Sequence, residues 1–422
     1  MAVVGGIIGS GIFLNPSIVA QRVPLGLVAP VWGLGGLIAL IGAFCYAELG
    51  HRRPRAGGGY VYLREAWGAL PAFLYGWALL LVMATGACAA VSVTFARYAA
   101  ALLGLGAGAV VPMAVGAIAV LSLINYVGVG PSAVTQNLFT VLKLAALAAL
   151  IGCGLLLPVR EGVLPAAAAP ASFTPWQLPL AVGTALVPIL FAYGGWQQTN
   201  FIAEEIVDAE RTLPRALVIG TAIVVLAYVS ANLAYLRVLG GGLGASQAPA
   251  ADVMGATLGP WGLRLISLGI ACSTFGFLNL VILVSPRVYQ AMAADGVFLP
   301  SLARLHPRFR TPGTAILLQG AWAILLTLTG TYAQLLDYVV FGDWIFFGLT
   351  AASLFVLRRR HGPPERHRVP AYPVAPALFV LAALYVVASS VASNPRTALL
   401  GVLLLLAGVP VYLYWSRRRV SA

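Results

Sequence analysis

The chain has 422 residues, of which 60% are hydrophobic and only 9% charged, and its mean hydropathy is +0.93. A soluble domain carries roughly 25% charged residues, so this chain cannot cover itself with a polar surface and its solvent is largely lipid. The net charge of +13 would suit nucleic acid, but the basic residues fall where membrane topology puts them, and no nucleic-acid partner is expected.

A helix needs about 20 apolar residues to cross the hydrocarbon core. Twelve stretches meet that length, at 1–20, 27–49, 70–98, 108–127, 132–157, 178–203, 214–238, 261–292, 313–330, 333–357, 372–392 and 396–415. They are continuous rather than alternating, which excludes a closed barrel, the other spanning structure. The expected fold is an all-α membrane protein of twelve transmembrane helices.

The first stretch is interrupted: Gly5-Gly6-Ile7-Ile8-Gly9-Ser10-Gly11-Ile12-Phe13. Glycine costs about 1 kcal/mol against alanine inside a helix. Taken alone, the pattern fits close packing through Gly5 and Gly9 as well as a break. The loop after the second stretch holds Arg52, Arg53, Arg55 and Arg64, with Tyr60, Tyr62 and Trp67 read as interfacial aromatics. The fifth stretch carries Lys143, the only lysine of the chain, at mid-span, where an ammonium costs about 2.5–3.5 kcal/mol on insertion scales. An Ala/Pro-rich connection, 161–176, leads to the sixth stretch. There Pro188 precedes Phe191-Ala192-Tyr193-Gly194-Gly195-Trp196-Gln197, a second glycine break in an apolar run. A Gly/Ala-rich connection spans 240–251. Arg287 closes the eighth stretch, and Asp343-Trp344 places a carboxylate inside the tenth. Arg358, Arg359, Arg360, Arg366 and Arg368 follow it, and Arg417, Arg418 and Arg419 end the tail.

An even number of spans leaves both termini on one side. The arginine clusters all fall on that side, so both termini are expected in the cytoplasm and the protein in the inner (plasma) membrane. The two interrupted stretches occupy matching places in a five-plus-five inverted repeat. The chain then divides into 1–157 (helices 1–5), 178–357 (helices 6–10) and 372–415 (helices 11–12). Paired broken helices are the best sequence pointer to a transport site at the midplane. A break frees N–H groups at the start of one half-helix and C=O groups at the end of the other, and in hydrocarbon these need partners. A zwitterion supplies both, with its carboxylate on the positive helix end and its ammonium on the freed carbonyls.

These segments resemble the amino acid–polyamine–organocation superfamily, and within it the L-type amino acid transporters and their bacterial relatives. The residues that carry the resemblance are Ile7-Ile8-Gly9-Ser10-Gly11-Ile12-Phe13 with Pro16, Pro54 to Tyr62, Asn137 to Lys143, and Phe191 to Trp196 with Asn200 and Glu204-Glu205. The resemblance covers almost the whole chain. It implies a leucine-transporter-like fold with discontinuous helices 1 and 6. It also implies a substrate site of Ile7, Gly9, Ser10, Gly11, Phe191, Ala192, Gly194, Gln197, Asp343 and Trp344. Ser10 and Gly11 would take the carboxylate through backbone N–H, and the carbonyls of Ile7, Phe191 and Gly194 the amine. Phe191 would gate the occupied site, and Lys143 would stand where relatives hold a sodium ion.

The implied function is secondary transport of neutral L-amino acids by alternating access, in uniport, exchange or proton-linked mode. Asp343 motivates the alternative, a cationic amino acid or polyamine antiporter. An enzyme is not expected: the four histidines fall in loops without metal-ligand spacing, and no GxSxG elbow occurs. Neither metal nor cofactor is expected. Cys45, Cys88, Cys153 and Cys272 read as small buried hydrophobes. No disulfide-linked subunit is expected either, because the connection 101–110 lacks a cysteine. The expected partners are an amino acid substrate and membrane lipid.

Overall fold

The computed structural model of the chain describes residues 1–160, 176–329 and 332–420. Most of the connection read at 161–176 lies outside the described residues. Within them every regular element is helical, and ten helices are long and apolar enough to cross a membrane.

In chain order the first are α1 (Ala2–Ile7), α2 (Gly11–Arg22), α3 (Val28–Arg52), α4 (Gly59–Trp67), α5 (Ala69–Ala78), α6 (Ala84–Leu102), α7 (Val110–Val127) and α8 (Val129–Leu156). After the undescribed connection come α9 (Leu178–Tyr193), α10 (Ala209–Leu239), α11 (Pro249–Leu258), α12 (Pro260–Val284), α13 (Pro286–Ala294), α14 (Gly313–Leu328), α15 (Tyr332–His361), α16 (Val374–Ser393) and α17 (Pro395–Val420). A π-helical turn, Leu79–Met83, joins α5 to α6, and a 3-10 segment, Trp196–Glu205, follows α9.

The helices divide by what surrounds them. The apolar windows of α5–α6 and α12–α13 are 78% and 72% buried inside the protein, whereas that of α17 is 11% buried. The first two are therefore central posts and α17 faces lipid. Helix α12 packs on α6 and α8, α10 on α3 and α8, and α1 is enclosed by α8, α10 and α12. Small residues make these approaches possible. A Cβ on Gly5 would fall 2.4 Å from both Gln136 Nε2 and Thr140 Oγ1, and one on Gly269 would fall 2.4 Å from Ala146 Cβ. Gly5 therefore serves close packing against α8.

Three readings of the connections change. Tyr60 and Tyr62 are not interfacial, being buried to 1% and 0% exposure. Their hydroxyls donate to Asp295 (2.8 Å) and to Asn200 Oδ1 (3.0 Å), polar partners that a lipid-facing ring would lack; Trp67 alone of the three is exposed. The segment 54–62, read as loop, becomes helical from Gly59. The 240–251 connection holds a 3-10 turn, Gly240–Ala245, and the start of α11. Gly259, at φ +66, turns the chain directly from α11 into α12 with Pro260 at the first helical position.

Ion pairs tie the arginine-rich end together. Glu48 is fully buried and accepts from Arg52 (3.0 Å), from Arg358 and from the Val369 N–H (2.8 Å). Arg287 meets Glu205 at 2.9 Å, and Arg53 meets Glu65 at 2.6 Å. Glu48 gains from three charge-assisted or backbone donors what its desolvation costs. Removing one partner of such a buried set costs about 3–5 kcal/mol.

Candidate functional site

The first interrupted stretch is two helices. Helix α1 ends at Ile7, Ile8 adopts φ −74°, ψ 94°, and α2 starts at Gly11. Four of the carbonyls at this break, those of Gly5, Ile7, Ile8 and Gly9, are taken by the protein itself. Lys143 Nζ, fully buried on α8, donates to Gly5 O at 2.8 Å and Ile8 O at 2.7 Å. Ser273 Oγ on α12 donates to Ile8 O and Gly9 O, both at 3.2 Å. From α10 the Tyr228 hydroxyl donates to Ile7 O at 3.1 Å and that of Tyr235 to Ile12 O at 3.0 Å. The ammonium thus sits among carbonyl dipoles in place of water. On the other side of the break the N–H groups of Ser10 and Gly11 have no protein partner among the described residues. They open the positive end of α2.

The second break is built differently. Helix α9 ends at Tyr193, and Gly195 takes φ +105°, a left-handed conformation that glycine alone adopts without strain. A Cβ there would also fall 2.2 Å from Gly6 O. The Gly195 N–H is capped by Gln197 Oε1 at 3.0 Å, and the Gly194 N–H folds back on Phe191 O at 3.2 Å. Here the N–H groups of both glycines are satisfied, while those of Trp196 and Gln197 have no partner among the described residues. The carbonyls of Ala192 and Gly194 have no partner among the described residues. Upstream, Pro188 cannot donate to Thr184 O, and Arg22 takes that carbonyl instead, while Asn15 Nδ2 donates to Pro188 O at 2.7 Å. Both clamps come from α2, so α2 and α9, one half of each broken stretch, are bonded together.

Both breaks open on one cavity of about 60 Å³. Its walls include Ile7, Gly9, Ser10, Gly11, Phe191, Ala192, Gly194, Gln197, Asp343 and Trp344. These are the residues that the sequence singled out, brought together from α1, α2, α9, the 3-10 segment and α15. Lys143 stands behind the first break, outside the cavity wall. Gln197 spends its side-chain oxygen on the Gly195 turn, which fixes its orientation. The Ile7 and Phe191 carbonyls each already accept one hydrogen bond, from Tyr228 and from Gly194, and each keeps a second lone pair. Asp343 has no ion-pair or hydrogen-bond partner among the described residues.

The sequence reading missed the remaining walls. Tyr75, Leu79, Met83, Ala87 and Val91 come from the α5–α6 post, and Phe277 and Ser285 from α12 and its end. Phe277 faces the first break, 3.5 Å from where a Cβ on Gly9 would lie. Gln198 Oε1 and Ser285 Oγ are buried without a partner among the described residues and line the same space. The spacing of Tyr228, Asn232 and Tyr235, one face of α10, was the available signal for the hydroxyls that cap the first break.

The two breaks approach each other closely beside the cavity: a Cβ on Gly11 would fall 2.7 Å from Ala192 Cβ, and one on Gly6 would fall 3.0 Å from Gly195 O. Among the described residues no group of three or more His, Cys, Asp or Glu could hold a metal ion.

A helical, multi-pass membrane architecture with a small cavity between two broken helices, lined by their freed backbone groups, is that of a transporter rather than an enzyme. The family model for amino acid permeases matches residues 1–410, and the chain belongs to that family. It is 33% identical over 434 residues to the serine/threonine exchanger SteT of Bacillus subtilis, covering 99% of this chain and 95% of that one. It is 34% identical over 421 residues to the human b(0,+)-type amino acid transporter 1, covering 97% and 85%. Human Asc-type amino acid transporter 1 is 32% identical over 431 residues, covering 99% and 81%. These relatives are amino acid transporters and exchangers, and amino acid transport is the activity that the family supports here.

Proposed function

We propose that the protein is a secondary carrier of small neutral L-amino acids, working by alternating access across the cytoplasmic membrane. In this reading the chain crosses twelve times, with both termini in the cytoplasm. Residues 1–157 and 178–357 are inverted repeats of a leucine-transporter-like fold, and 372–415 adds the last two helices. The observation that carries the reading is the complementary pair of breaks: free N–H groups at Ser10 and Gly11, and free carbonyls at Ala192 and Gly194, facing one cavity. The substrate carboxylate binds the first and its ammonium the second, with Phe191 closing over the site.

Size narrows the substrate. One buried water needs roughly 10–15 Å³ of such space, so a cavity of about 60 Å³ holds about four to six, comparable with the heavy atoms of alanine or serine. Lys143, bonded to Gly5 and Ile8, replaces a dissociable cation, so transport proceeds without sodium.

The test is uptake of labelled L-alanine into proteoliposomes in sodium and in choline buffers. Equal uptake in the two is expected. Gly11→Val should abolish it, because the new side chain meets Ala192 and covers the N–H groups. Undiminished uptake by a monodisperse Gly11→Val protein would contradict the assignment.

Asp343 supports a second reading, in which the side chain carries a positive charge to meet the unpaired carboxylate. Competition by arginine or putrescine that Asp343→Asn removes, with alanine uptake retained, would favour it over the neutral one.

A further inference from the structure

On the membrane-facing side, away from the substrate cavity, a second hollow of about 890 Å³ lies between α6, α8 and α12. Its walls are almost wholly apolar, with Phe95, Leu102, Phe139, Leu268, Cys272 and Phe275 among them, and its one charged wall residue is Arg264. Arg264 is exposed beside Trp261, its guanidinium carbon 5.7 Å from the indole centroid, and it has no carboxylate partner among the described residues. Both lie in the first turns of α12, at the end of the helix opposite Arg287 and the arginine-rich loops.

The dimensions match one lipid leaflet. From Arg264 to Phe275 the hollow follows α12 for about 16 Å, at 1.5 Å per residue, close to half of a hydrocarbon core about 30 Å thick. Its floor is an aromatic cluster in which Phe275 meets Phe95 at 5.1 Å and Phe139 at 5.0 Å between centroids. The arrangement is an apolar trough one acyl chain deep, with an indole and a guanidinium at headgroup level. A guanidinium pairs bidentately with phosphate, and Trp favours that same interface. A zwitterionic headgroup would add an ammonium that finds no acceptor in these walls, whereas an anionic headgroup adds none.

We propose that this trough is a binding site for an anionic phospholipid of the leaflet opposite the arginine-rich loops. The phosphate lies on Arg264 and one acyl chain extends to the Phe95–Phe275–Phe139 floor. The floor adjoins the groups around the first break: Lys143 is one helical turn from Phe139 on α8, and Ser273 and Phe277 flank Phe275 on α12. A bound chain would press on the scaffold that holds the first break.

The test uses the full-length protein in phosphatidylcholine vesicles containing a trace of phosphatidylglycerol with a photoreactive acyl tail, or of phosphatidylcholine with the same tail. Labelled peptides are then mapped. Phosphatidylglycerol should label the Leu265–Phe275 segment about fivefold more than phosphatidylcholine, the effect of one basic side chain on anionic-lipid affinity. Arg264→Gln should remove that excess and Arg264→Lys should keep most of it. Ala271→Phe, which fills the trough, should lower labelling by both lipids there while labelling of the lipid-facing α17 persists as an internal check on folding. Equal labelling by the two lipids, or an excess that survives Arg264→Gln, would overturn the proposal.

Discussion

The two broken stretches are the same event in sequence, a glycine pair inside an apolar run, yet the structure completes them in opposite ways. At the first break the carbonyls are occupied by Lys143, Ser273 and Tyr228, and the N–H groups of Ser10 and Gly11 stay open. At the second the N–H groups of the two glycines are occupied, that of Gly195 by Gln197 and that of Gly194 by Phe191 O, and the carbonyls of Ala192 and Gly194 stay open. A break by itself exposes both kinds of group. Neighbouring side chains decide which kind is left for a ligand. At Ser10 and Gly11 the first break offers donors and at Ala192 and Gly194 the second offers acceptors, across a single cavity, a pairing that suits a molecule carrying both charges.

The comparison can be broken most severely at Lys143. Lys143→Gln shortens the side chain and removes the charge from Gly5 O and Ile8 O. Gly5 O is left bare, at a cost of about 1–3 kcal/mol, and Ile8 O keeps only Ser273, so a clear fall in Tm and loss of uptake are expected. Full activity in that variant would mean that the first break needs no cation. A middle-sized effect is expected from Ser273→Ala, which removes one hydroxyl from Ile8 O and Gly9 O, carbonyls that lie directly beside the open N–H groups. The smallest is Tyr228→Phe, with a loss of about 1 kcal/mol by thermal unfolding and a modest rise in KM. A larger effect for Tyr228→Phe than for Lys143→Gln would invert the ranking and assign the first break's order to the tyrosine.

Much of the site could be read from the sequence because glycine and proline are conspicuous in apolar runs. Gly9, Gly11, Gly194 and Gly195 mark the breaks directly, and the residues beside them necessarily face the space that a break opens. Lys143 and Asp343 stand out because charge at membrane depth is costly. The walls from unbroken helices did not show. Met83, Val91 and Phe277 are apolar residues in helices apolar all round, since the outward face meets lipid and the inward face meets protein. No periodicity then distinguishes the cavity side. Tyr60 and Tyr62 were misread for the same reason: an aromatic near the end of a span fits the interface or a buried hydrogen bond equally well until its neighbour, Asp295 or Asn200, is in place. The trough at Arg264 has no signature along the chain at all, because three helices distant in sequence form it.

Thermal stabilisation of the purified protein by L-alanine, set beside L-alanine methyl ester and N-acetyl-L-alanine, is the most direct measurement. Each derivative deletes one charge and keeps the side chain. If the open N–H groups hold a carboxylate and the open carbonyls hold an ammonium, alanine raises Tm and both derivatives fail to do so at tenfold higher concentration. Stabilisation by the ester or the acetylated compound equal to that by alanine would contradict the account.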